Sequence, residues 1–173
     1  MENIDKDSEK LLKEYLDTRQ IELEHEMTVI KNITDPAKLI ARLERTSEEL
    51  QWMIAGEFTA GVNRIDNFYE LIDLWKRSEG KKYGQIDFRD FIEKEMVIVL
   101  NIKTDEGIDI GEVLQYLGRA PICSNPQKII LEHLKEMLEG NIHLIKEVIR
   151  GKLKLPHSLK DFFVQEVGKA LLE

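Results

Sequence analysis

The chain holds a single cysteine, Cys123, in 173 residues. No disulfide within it can brace the fold, and a reducing compartment, the cytoplasm, is the expected setting. It has only four prolines, so long helices can run without a forced break. The longest apolar run, residues 96–100, is far short of the roughly 20 residues that cross a bilayer. The first residues lack the basic region and apolar stretch of a secretory signal, so neither export nor membrane insertion is expected. Excess positive charge is absent too. The formal net charge is −8, which disfavours general attraction to nucleic acid. No glycine-rich phosphate loop, zinc spacing or nucleophile elbow occurs, which argues against the enzyme classes those motifs mark. No cofactor or metal is expected.

What the sequence does have is helical periodicity. A chain of this size can bury a core without metals or disulfides. In residues 5–31, Leu12, Leu16, Leu23, Met27 and Ile30 recur at three- and four-residue steps, the stripe of an amphipathic helix. Arg19 and Gln20 interrupt that stripe, and a polar group there needs water or a partner. Thr34 or Asp35 is placed to cap a second helix, with Pro36 in its first turn.

A near-heptad stripe follows through Ile40, Leu43, Leu50, Ile54, Phe58, Val62, Ile65, Tyr69 and Ile72. An unbroken helix over 36–78 would reach on the order of 60 Å, so it must either protrude or break. Thr46 and Glu49 form a capping-box pattern, and Gly56 and Gly61 weaken a helix interior unless another backbone packs close there.

Gly80 and Gly84 mark residues 80–86 as a linker. Beyond it, the run from Met96 to Ile102 reads as a buried helix, because its β-branched residues find no second strand to pair with. Further helices are expected through Leu117, from Pro126 to Met137, through Ile142 to Ile149, and from Leu159 to Leu171. The expected fold is all-α. A long helical hairpin, residues 1–79, is a candidate coiled-coil oligomerisation region, and residues 87–173 form a compact helical domain.

Several constellations bear on chemistry. Arg19 with His25, and Arg150 with His157, resemble the short arginine–histidine motif of HEPN-type ribonucleases, which are all-helical. That resemblance implies RNA cleavage, the arginine stabilising phosphate charge and the histidine moving a proton. On a continuous helix, however, six residues turn about 240°, so Arg19 and His25 face apart. Glu22 and His25 match one E-x-x-H of a ferritin-like di-iron site, but no second copy accompanies them. The pairs Glu70 with Asp73 and Glu136 with Glu139 resemble magnesium-binding carboxylates of helical nucleotide pyrophosphatases.

Lys146, Arg150, Lys152, Lys154 and Lys160 form the strongest basic cluster, suited to an anionic partner, although such clusters are more often solvated surface. Trp52, Phe58 and Trp75 are candidate anchors for a protein partner, with core packing the competing use. His133, beside an apolar stripe, is expected to be a hydrogen-bonded core histidine. The leading expectation is a non-enzymatic interaction or assembly protein that contacts a protein partner, itself, or both. A helical ribonuclease or nucleic-acid-associated factor, or a nucleotide pyrophosphatase, is the alternative.

Overall fold

The computed structural model describes residues 2–139. The basic cluster from Lys146 to Lys160, the Arg150–His157 pair and the last two expected helices therefore lie outside the described residues. What is described is all-α apart from one small hairpin.

Helix α1 spans Glu2–Asn32. Leucine, glutamate and lysine dominate it, with neither glycine nor proline, so backbone propensity favours helix throughout. Asp35 then caps α2 (Pro36–Arg42), its Oδ1 accepting the Ala37 N–H at 3.0 Å, with Pro36 at the first helical position.

The rod conceivable over residues 36–78 does not form. After α2 come two short 3₁₀ turns, Leu43–Arg45 and Glu48–Leu50, then α3 (Gln51–Asn63) and α4 (Phe68–Arg77). The expected capping box is not made. Thr46 Oγ1 instead donates back to the Arg42 carbonyl at 3.0 Å, while Gln51 Nε2 reaches the carbonyls of Leu43 and Thr46, each at 3.4 Å. Carbonyls freed by the break thus regain donors. The apolar stripe survives it, since Ile40, Leu43, Leu50, Ile54, Phe58, Val62 and Ile72 are all buried.

Residues 80–86 hold a turn and most of a β-hairpin, although no strand pairing was expected from the sequence. Strands β1 (Lys82–Tyr83) and β2 (Ile86–Asp87) pair antiparallel, Lys82 opposite Asp87 and Tyr83 opposite Ile86. Gly84 opens the two-residue loop at φ +60°, where an L side chain would be strained. The ammonium of Lys81 bonds the Glu44 carboxylate, tying the hairpin's approach to the first 3₁₀ turn.

Helices α5 (Phe88–Asp105), α6 (Ile110–Arg119) and α7 (Asn125–Glu139) complete the described fold. The chain divides into two compact units. The first comprises Met1–Ile65 and Leu74–Phe91; the second takes Asp66–Asp73 and the described residues from Ile92 onward. In the first, α3 is central, contacted by α1, α2 and β1. Phe58 meets Phe88 edge-on there, ring centres 4.9 Å apart. In the second, α6 packs on α7, and Tyr116 stacks on Phe68 at 4.7 Å. Among the described residues, no helix is long and apolar enough to cross a membrane.

Candidate interaction surface

Helix α1 changes character along its length. At about 1.5 Å per residue, its 31 residues reach roughly 46 Å. Its final turns pack on α3 and on the turn at Glu48–Leu50, leaving Ile30 fully buried and Leu23 and Met27 partly so. Every residue from position 5 to position 18 is exposed. Within that stretch Leu11 is 67% exposed, Leu12 58%, Tyr15 66% and Leu16 55%.

Leu12, Leu16, Leu23 and Ile30 fall on one side of the helix, so the outer leucines continue the stripe whose inner end is core. Taking about 2 kcal/mol for full burial of each large apolar side chain, Leu11, Leu12, Tyr15 and Leu16 leave on the order of 5 kcal/mol unrealised. The outer part of α1 therefore gains burial when something covers it.

Arg19, the polar interruption, sits where the covered and uncovered parts meet. Its guanidinium lies 3.5 Å from Glu22 and 3.7 Å from Glu49, bridging α1 to the 3₁₀ turn of its own unit. These contacts explain the break in the apolar stripe. A partly exposed pair of this kind contributes about 0–1 kcal/mol, so it orients the helix more than it holds it. Gln20 joins Glu24 at 3.1 Å along the helix surface.

The other sequence candidates separate clearly. Trp52 on α3 is exposed and stays available to a partner. Phe58 is fully buried and Trp75 nearly so, in the competing core-packing use. Trp75 instead lies under the Arg89 guanidinium, 3.6 Å from ring centre, while Arg89 Nε donates to the Trp75 carbonyl at 2.9 Å. His25 is exposed on α1, and Arg19 is engaged by two carboxylates. Among the described residues, no group of three or more His, Cys, Asp or Glu is placed to hold a metal. His133 is a buried, hydrogen-bonded residue on α7, 2.6 Å from Thr104.

Two features of these surfaces were not legible in the sequence. Leu11 and Tyr15 widen the ridge beside Leu12 and Leu16, and the adjacent leucines were the available signal. The run at 96–102 is helical but only half buried: Met96, Val99 and Leu100 are in the core, while Val97, Ile98 and Ile102 are exposed. Cys123 is exposed at φ +62° in the loop before α7, its N–H donating to Gln127 Oε1 at 2.8 Å. No family model, curated protein or solved structure matches the chain.

Proposed function

We propose that this chain is a non-enzymatic interaction protein, an adaptor, regulatory subunit or inhibitor, whose contact element is the outer half of α1. The observation that carries this reading is the concentration of Leu11, Leu12, Tyr15 and Leu16 on a stretch exposed at every position. Contiguous apolar surface on a soluble fold marks a binding site more often than a decoration. Helix-in-groove recognition uses such a set of anchors, at i, i+3, i+4 and neighbouring positions.

Affinity purification of the tagged chain from its native cell, followed by mass spectrometry, tests the reading. The comparison is with a Leu12→Glu/Leu16→Glu variant. Both side chains are exposed, so the variant keeps the wild-type fold and melting temperature while losing at least tenfold of a specifically captured protein. Identical capture by the two proteins would sink the assignment of α1 as the contact element.

A further inference from the structure

Among the described residues, helix α5 carries a second uncovered face, separate from the α1 surface and independent of the function proposed for it. Lys94, Val97, Ile98, Asn101, Ile102 and Asp105 are all exposed. At 100° per residue they lie within one arc of about 140°. The face has a definite order along the axis. Lys94 stands at one end and Asp105 at the other, about 16 Å apart, both near the middle of the arc, with three apolar residues and one asparagine between them. Val97 is 44% exposed, Ile98 49% and Ile102 51%, so substantial apolar area lies between two opposite charges.

Reversing this face gives its own complement. If a second α5 runs antiparallel about a two-fold axis midway between Ile98 and Asn101, Lys94 meets Asp105 of the second copy, and Asp105 meets its Lys94. Ile98 then shares a layer with Asn101 of the second copy, while Val97 and Ile102 flank the seam on its two sides. The register also satisfies helix packing, because 94, 98, 101 and 105 follow the four-three-four spacing of a helical seam. A parallel, in-register pairing fails on the same residues: it sets Lys94 against Lys94 and Asp105 against Asp105.

We infer that the exposed face of α5 binds the same face of a second copy of this chain, antiparallel, as an isologous two-fold contact. One helix face of this length buries less than a standard interface, so the association is weak, with a Kd in the range of about 10–100 µM.

Sedimentation velocity of the full chain from about 1 to 500 µM tests it. The expected result is a reversible monomer–dimer equilibrium that weakens with added salt. Lys94→Glu and Asp105→Lys should each raise the Kd roughly tenfold, because each substitution makes two symmetric contacts repulsive. The double reversal Lys94→Glu/Asp105→Lys should return the Kd to near the wild-type value. That rescue also shows that the single variants fold. Ile98→Glu should give monomer throughout, whereas Leu12→Glu/Leu16→Glu should leave the dimer intact.

Three results would overturn the inference: a wild-type chain that stays monomeric at 500 µM, a dimer indifferent to the single charge reversals, or a double reversal that does not recover. Loss of the dimer in the α1 variant, with Ile98→Glu still dimeric, would assign self-association to α1 and remove it from α5.

Discussion

Within the second unit, His133 Nε2 on α7 lies 2.6 Å from Thr104 Oγ1 on α5. The Thr104 hydroxyl donates to the Leu100 carbonyl at 2.8 Å, so it accepts from His133 Nε2–H, which sets the tautomer of the neutral ring. Burial pushes the His133 pKa below its ordinary 6.5, only partly opposed by the charge of Glu136. The folded state thus binds this proton less readily than the unfolded chain. Stability is full above pH 6.5 and falls as pH drops from there to the lowered folded value. Urea unfolding at pH 7.5 and 5.5 should show a loss in wild type that shrinks in His133→Gln, which keeps an N–H donor without titrating. An equal loss in both proteins would show that His133 does not set this dependence.

Glu95 acts with the opposite sign in a lower window. Burial raises its pKa above 4.5, so the folded state takes up this proton more readily than the unfolded chain. Stability from this group is gained as pH falls through the raised value toward 4.5. Glu95→Gln should therefore be more stable than wild type at pH 7, with the advantage shrinking toward pH 4.5. Denaturation curves at the two pH values compare them directly, and a Glu95→Gln protein less stable at neutral pH would refute the sign.

In the first unit, Arg89 uses the flat face of its guanidinium and its Nε–H at once, on the ring and on the carbonyl of Trp75. A lysine ammonium cannot reproduce both. Arg89→Lys should cost about 1–2 kcal/mol in chemical denaturation. A value within 0.3 kcal/mol of wild type would show that the contact is incidental.

Gly56 and Gly61 look alike in the sequence but should respond with opposite signs. A Cβ at Gly61 would sit 2.7 Å from Pro36 Cγ, whereas a Cβ at Gly56 meets nothing within 4 Å. Gly61→Ala should destabilise by about 1–3 kcal/mol through overpacking of α3 on α2. Gly56→Ala should stabilise by up to about 1 kcal/mol through helix propensity. Melting temperatures moving the same way in both variants would contradict the packing described.

These two glycines show where the fold was legible in the sequence. Helical class, the Asp35 cap and the buried stripe from Ile40 to Ile72 follow from periodicity and local chemistry, which one chain position and its neighbours determine. The break at residues 43–50 was less visible, because 3₁₀ turns keep the apolar residues facing inward and leave the period nearly intact. The hairpin at Lys82–Asp87 was invisible because its two-residue strands are too short to show alternation. Coverage of α1 was the hardest to read. Leu12 and Ile30 carry the same periodic signal, yet only tertiary packing decides that Ile30 is core and Leu12 surface.

Cys123 is the one non-glycine residue with positive φ among those described, at +62°, and its side chain is exposed. It therefore bears a left-handed backbone cost of about 1–2 kcal/mol with little packing in return. Glycine removes that cost but loses more entropy on folding, by about 0.5–1 kcal/mol. Cys123→Gly should thus gain a net of up to about 1.5 kcal/mol, while Cys123→Ala, which keeps the Cβ, should gain nothing. Equal urea midpoints for the glycine and alanine variants would mean that the loop relaxes out of the left-handed region once the thiol is gone.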